Sequence, residues 1–455
     1  MEHNLTSGSV PKSVIRFSLP FLLSYFLQTL YGMADLFIIG QYEGVASTTA
    51  VSIGSQVMHM LTVMIVGLAM GTTVCVGRSV GGGNFRQAAK DVGNTVLLFA
   101  AVSLVLTLLL SLLVRPITSV MSTPEEAVDG TVMYLTVCFL GIPFITAYNT
   151  ISSMFRGMGD SKSPMYFIAV ACAANIALDY LFIGALGLGP VGAALGTVIS
   201  QAISVGVSMT VILKKRSIPM KKGDFKPSRD TVGRILKIGV PIALQDGLIQ
   251  IAFILITVIA NNRGLNDAAA VGIVEKIIGF LFLIPSSMLS TVSALGAQNI
   301  GAGKPERARE TLWFAVLIAA SFGLVCSILM QFISEPTVSL FTKADAEGGA
   351  EVVRLGGQYL RGYIWDCIFA GIHFSFSGYF CACGRSGLSF LHNIIAVALV
   401  RVPGAYFASK LFPTTLFSMG LATAGGSLVS VIICLILYFA VIKRTGHGQM
   451  TENSL

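Results

Sequence analysis

Long uncharged apolar stretches recur along this chain, and they leave it few places to fold other than a lipid bilayer. Val96 to Val114 carries no charge, and Ile168 to Leu186 and Val429 to Ile442 need only short extensions to reach the roughly 20 residues that cross a membrane. Only 11% of the residues are charged, against about 25% in an ordinary soluble domain, while 54% are hydrophobic. An all-α integral membrane protein follows. The apolar runs predict twelve transmembrane helices at 16–40, 46–77, 89–114, 130–155, 163–186, 190–213, 232–260, 268–299, 307–333, 352–382, 387–410 and 417–442. The first run has no small-residue cleavage site behind it, so it is read as a retained helix.

The connections alternate in charge. Lys12 and Arg16 precede the first span, and Arg78, Arg86 and Lys90 surround the second connection. Arg156 and Lys162 flank the fourth, Lys304, Arg307 and Arg309 the eighth, Arg385 the tenth, and Lys443 and Arg444 the tail. The sixth holds Lys214, Lys215, Arg216, Lys221, Lys222, Lys226 and Arg229. The intervening loops are almost free of bases, and Glu125, Glu126, Asp129, Glu335, Glu347 and Glu351 fall there. By the positive-inside rule both termini are expected in the cytoplasm. The net charge of +8 is therefore topological. Its bases do not cluster with aromatics as a nucleic-acid face would, so no nucleic-acid partner is expected.

The chain also repeats itself. Ala50-Val51-Ser52-Ile53 returns as Ala270-Val271-Gly272-Ile273, and Gly81-Gly82-Gly83-Asn84 as Gly301-Ala302-Gly303-Lys304, both 220 residues on. Gly159-Asp160-Ser161 returns as Gly384-Arg385-Ser386, and Pro20 as Pro241. Six spans per copy give both copies the same orientation, related by a pseudo-two-fold axis along the membrane normal. The expected organisation is an amino-terminal six-helix bundle (1–213), a basic cytoplasmic linker (214–231) and a carboxy-terminal six-helix bundle (232–455).

Ionisable residues inside the hydrocarbon cost about 2.5 to 3.5 kcal/mol each on the insertion scale, so they need a partner or a function. Asp35 and Asp179 each fall about six or seven residues inside the outer end of a span, at a common depth of roughly 10 Å. Asn175, one helical turn before Asp179, shares its face, and Thr197 on the sixth span reaches the same level. Two carboxylates, an amide and a hydroxyl suit a hard cation such as Na+, or a proton shared between the acids. The competing reading is that the acids only tie helices together. In the second half, Asp246, Glu275, Lys276, Arg361, Asp366 and Arg401 comprise three acids and three bases, and are expected to form a mutually neutralised polar network, the alternative being a second ion site. Of the five histidines, His373 is the best placed for a proton-linked role.

The eight cysteines form no CxxC pair and read as small buried hydrophobes; Cys381 and Cys383 make no metal site alone. No HExxH, GxSxG or Walker-type signature occurs, so enzymatic chemistry and a bound cofactor are not expected.

Several motifs together resemble the multidrug and toxin extrusion (MATE) family over nearly the whole chain. They are Leu19-Pro20 with Asp35, the Gly81 to Gly83 turn, and Phe155-Arg156-Gly157-Met158-Gly159-Asp160. The stretch Asn175 to Asp179, Gly189-Pro190-Val191-Gly192-Ala193-Ala194, and Gly296-Ala297-Gln298-Asn299-Ile300-Gly301-Ala302-Gly303 complete the set. The resemblance implies a monomer in a bacterial cytoplasmic membrane that exports small amphipathic or cationic molecules in exchange for Na+ or H+. It also carries Asp35, Asn175, Asp179 and Thr197 onto the family's amino-terminal cation site. A flippase of lipid-linked saccharides remains the alternative, since basic residues such as Lys276, Arg361 and Arg401 would suit such a cargo.

Overall fold

The computed structural model describes residues 5–215, 218–342 and 348–442, and every regular element within them is helical. Arg216, Glu347, Lys443 and Arg444, counted above in the charge pattern, lie outside the described residues. The first half comprises α1 (Val10–Tyr42), α2 (Val45–Gly81), α3 (Phe85–Leu112), α4 (Val114–Val120), α5 (Glu125–Leu140), α6 (Ile142–Gly157), α7 (Lys162–Asp179) and α8 (Gly189–Lys215). The second comprises α9 (Arg229–Asn261), α10 (Leu265–Leu281), α11 (Leu283–Gly301), α12 (Pro305–Ser339), α13 (Gly349–Tyr363), α14 (Asp366–Ala382), α15 (Ser386–Ala396), α16 (Val402–Leu411) and α17 (Phe417–Leu437).

Ten stretches are long and apolar enough to cross a bilayer, among them α10 with α11, and α15 with α16, each taken as one nearly continuous span. The remaining two of the expected twelve are broken. The fourth is the pair α5 and α6, bent by 50° at Gly141. Pro143 in the first turn of α6 has no N–H to continue the ladder, and Val198 lies where a side chain on residue 141 would go. The tenth is α13 followed by α14. Here α13 carries Glu351, Arg354 and Arg361 on one face and buries Leu355, Tyr359 and Leu360 on the other, which leaves it short of a lipid-facing span. The twelve-helix, two-bundle layout read from the sequence is thus present, with two spans interrupted.

The repeat is visible in backbone geometry. Gly83 and Gly303 have φ of 70° and 69°, and Gly159 and Gly384 have 88° and 71°, a left-handed conformation that a Cβ disfavours. At each, the next residue's N–H closes the helix by donating to the carbonyl five residues back. The bonds are Asn84 to Ser79 (2.9 Å), Lys304 to Asn299 (2.8 Å), Asp160 to Phe155 (2.9 Å) and Arg385 to Phe380 (2.8 Å). The recurring glycines are therefore helix stops, which end α2, α11, α6 and α14.

By internal contacts the chain forms two compact units, one built on Leu19–Ala243, the other on Leu244–Leu455 together with Thr6–Ser18. In the first unit, Ile38, Ile39, Tyr134, Leu135, Phe139 and Ala193 form a buried cluster joining α1, α5 and α8. In the second, Ile256, Val271, Tyr359, Tyr363, Cys367 and Met419 do the same for α9, α10, α13, α14 and α17. The outward faces stay apolar: Leu104, Val105, Leu108 and Leu112 of α3 are all more than half exposed, as lipid-facing side chains are. Where α7 ends at Asp179, the chain continues as a π-helix (Tyr180–Ala185); a second π-helix (Val397–Arg401) joins α15 to α16 and ends on Arg401.

Candidate functional site

The four residues singled out in the first half come together. Asp35 on α1, Asn175 and Asp179 on α7 and Thr197 on α8 are all buried, the α7 pair completely. Thr197 donates its hydroxyl to Asp35 Oδ2 at 3.2 Å. Asn175 and Asp179 both lie within interaction range of Asp35, but neither closes a well-shaped hydrogen bond with it. As a result Asp35 Oδ1, both carboxylate oxygens of Asp179 and both amide atoms of Asn175 are buried without a protein hydrogen-bond partner.

Buried carboxylate oxygens lacking donors carry a desolvation cost of several kcal/mol per charge, which something must offset. The donor set is oxygen-rich and negative, and it fits a small hard cation or a proton bridging the acids. Among the described residues no group of three or more His, Cys, Asp or Glu is gathered as a transition-metal site would need. The two acids supply charge, and Asn175 and Thr197 supply neutral oxygens.

Local packing explains why Asp179 can point inward. A Cβ on Gly196 of α8 would overlap Asp179 Oδ1 and stand 3.6 Å from Asn175 Nδ2, so the carboxylate occupies the space a side chain would fill. The π-helix that begins after Asp179 widens the turn there, a feature often found at functional positions.

Two further residues belong to the cage and were not singled out. Tyr31, one turn before Asp35, interacts through its hydroxyl with Thr197 and Gln201. Gln201, one turn after Thr197, holds another buried oxygen, Oε1, with no protein donor. A spacing of four from two candidates on facing helices was the signal that would have found them.

The six charged residues of the second half do not form the single network expected. Arg401 Nη2 lies 3.2 Å from Asp366 Oδ2 and 2.5 Å from the Tyr363 hydroxyl, so that pair is present. Arg361 instead meets Glu335 at 2.9 Å and the Ser334 hydroxyl at 2.8 Å. Glu275 accepts from Thr257 at 3.1 Å, Asp246 is half-buried, and Lys276 is exposed, contrary to its expected burial. Charge balance across six positions does not specify partners; the helical faces do, and Lys276 lies on a different face of α10 from the buried Val274 and Ile278. His373 packs against His392, ring centroids 5.6 Å apart, and its Nδ1 is buried without a partner. His392 itself is bonded to Ser377 at 3.0 Å and Ser430 at 2.6 Å. A cavity beside them is lined by Phe282, His373, Asn393, Arg401, Ser427 and Ser430.

Comparison with known proteins bears on all of this. The MatE family model matches residues 20–181 and 241–407, covering the matching parts of both halves. A similar curated protein, the probable multidrug resistance protein YoeA of Bacillus subtilis (strain 168), is 26% identical over 445 residues, 96% of this chain and 95% of its own length. The FAD transporter of Shewanella oneidensis is 26% identical over 347 residues, 75% of this chain and 76% of its own. A crystal structure described as MATE in complex with MaL6 superposes with a TM-score of 0.90 at 22% identity, over 97% of this chain and 98% of that one, which shows the fold. With the repeat, the interrupted twelve-span layout and both halves matched, this chain belongs to the MatE family of multidrug efflux transporters.

Proposed function

We propose that the protein is a secondary antiporter which exports small amphipathic or cationic compounds and takes its energy from Na+ or H+ bound at Asp35, Asn175, Asp179 and Thr197. The observation that carries this reading is the group of buried oxygens without donors around Asp35 and Asp179. Structural acids would be expected to recruit donors from neighbouring helices; here only Thr197 does so by the geometry of its hydroxyl. A cation or proton arriving in the cage removes the repulsion between the two acids and satisfies their lone pairs.

Ion binding drives a conformational change only to the extent that the ion binds one arrangement better than the other. Cargo that prefers the ion-free arrangement then competes with the ion, and the antagonism is reciprocal. Each charge that moves inward through 100 mV supplies about 2.3 kcal/mol, enough to shift a balance between two nearly equal arrangements. The orientation that goes with this reading places both termini in the cytoplasm of a bacterial cell.

The saccharide-flippase alternative loses support, because Arg361 and Arg401, two of the three bases that favoured it, are paired with Glu335 and Asp366. The relative named as an FAD transporter points to a cargo range that extends beyond cationic drugs.

The test uses purified protein in proteoliposomes, with a Na+ gradient and a pH gradient imposed separately and efflux of a fluorescent cationic dye followed. One of the two gradients is expected to drive dye movement in the wild type, and Asp35→Asn and Asp179→Asn are each expected to abolish that component. Gradient-driven transport that survives both substitutions would remove the site from coupling.

A further inference from the structure

The segment joining the two halves is not a loose tether. Lys222–Phe225 forms a single 3-10 turn held against the start of α3 by contacts on both sides. Asp224 is completely buried, bonded to Arg86 at 2.8 Å and accepting the Lys221 backbone N–H at 2.7 Å. Asn94 clamps the other side: its Nδ2 donates to the carbonyls of Asp224 (3.4 Å) and Lys226 (3.3 Å), and its Oδ1 accepts the Ser228 N–H at 2.7 Å. Gly93 lets the two backbones touch, since a Cβ there would overlap the Asp224 carbonyl.

With its one acid turned inward and neutralised, the turn presents a predominantly basic outer face, beside which Asp230, next to Arg229, is an exposed acid. Lys221, Lys222, Lys226 and Arg229 are exposed, and among them Met220 and Phe225 are 37% and 41% exposed. Lys90 of α3 is exposed as well. A run of bases alone is usually a solvated surface. This one differs in holding an aromatic ring outward at a fixed place, next to the end of one membrane span (α8) and the start of another (α9), where the headgroup layer begins.

We propose that this docked turn is a preformed binding surface for anionic phospholipid headgroups, with Lys221, Lys222, Lys226 and Arg229 meeting the phosphates and Phe225 seated among the glycerol and upper acyl groups. Bases beside a membrane span attract anionic lipid, and a ring at that depth has an apolar body to bury. The buried Asp224 pair and the Asn94 clamp spare the surface the cost of ordering on contact, as preorganised sites do.

The experiment uses the full chain in nanodiscs of phosphatidylcholine alone or of an equimolar mixture with phosphatidylglycerol. Trp emission of Phe225→Trp, corrected for the two native tryptophans, is expected to shift to the blue and to be quenched by brominated acyl chains more strongly in the anionic discs. In native mass spectrometry the protein titrated with phosphatidylglycerol is expected to lose about fivefold in affinity for each of the four bases changed to Gln, with phosphatidylcholine binding unchanged. Asp224→Asn, which keeps every base but frees the turn, is expected to weaken anionic lipid binding as well. Equal emission in both discs, or undiminished phosphatidylglycerol binding by the Gln variant, overturns the proposal. Displacement of the lipid by inorganic phosphate alone would also overturn it, since the surface would then be a phosphate site.

Discussion

Gly196 decides whether Asp179 can face the cage. Adding one methyl group there puts a Cβ where Asp179 Oδ1 now sits, and α8 cannot yield without disturbing Thr197, the next residue. Gly196→Ala is therefore expected to reduce ion-driven dye transport at least tenfold. Gly206→Ala on the same helix, with nothing within 4 Å of its Cβ, is expected to transport normally and to be slightly more heat-stable. Equal transport by the two variants would show that Asp179 does not need its present position. A second residue-level prediction concerns the pair Arg401 and Asp366, whose side chains are 9% and 0% exposed. Removing one partner leaves a buried charge, so Arg401→Met or Asp366→Asn is expected to cost about 3 to 5 kcal/mol, read as a lowered melting temperature in detergent. The double replacement Arg401→Met with Asp366→Leu is expected to recover much of that loss, because no charge is left behind.

Among the elements, α7 is anchored at its start by Asp160. Its carboxylate accepts the backbone N–H of Lys162 (3.1 Å) and of Ser163 (2.9 Å) as well as the Ser163 hydroxyl (2.6 Å), and Lys215 reaches it at 3.0 Å. Burial pushes this carboxyl upward, but the bonds from Ser163 and Lys215 outweigh it and hold the group below its ordinary value. A folded value below the unfolded one means the contribution is complete above about pH 4 and drains away as acid carries the solution through the lower folded value. Asp160→Ala is expected to remove about 1 kcal/mol of capping and to speed amide exchange in the first turn of α7 at neutral pH. Wild-type exchange in that turn should quicken only in strong acid. The start of α15, where Arg385 occupies the equivalent place, should show neither effect. The elements also show what the sequence could and could not tell. Span positions were legible because apolar length and loop charge repeat along the chain. The breaks in the fourth and tenth spans were missed, although Pro143 and the charged face of α13 lay in plain view, because an average over a window does not register a local interruption. The docking of the linker left no periodic trace: isolated residues, Asp224 with Arg86 and Asn94 beside Gly93, accomplish it.

For the whole molecule, the gathering of the four first-half residues was legible and the pairing of the second-half charges was not, and the difference is physical. Asp35 and Asp179 stand out because a lone acid in hydrocarbon is costly, and helical rise alone gives their common depth. Asp246, Glu275, Lys276, Arg361, Asp366 and Arg401 offered balanced charge but no register between helices, so Glu335, placed outside the spans by its loop, was not seen as the partner of Arg361. Ligand linkage supplies a global test of the site that was read. An ion bound only by the folded protein stabilises it by about 2.7 kcal/mol at a hundred times its dissociation constant. The coupling ion is thus expected to raise the melting temperature of the wild type in a concentration-dependent way. Asp35→Asn and Asp179→Asn should not respond, with choline as the control cation. A wild type indifferent to Na+ and to pH alike would leave the cage without a ligand.

The four helix stops have a mechanical outcome. Because α2, α6, α11 and α14 are each closed by a bond of their own backbone at a glycine, adding a helical turn at that end to suit a thicker host membrane would cost that bond. Mismatch can instead be absorbed by inclination, at a cost of fractions of a kcal/mol per Å, or by the lipid itself. Acyl-chain length thereby becomes a quantity these rods convert into slope.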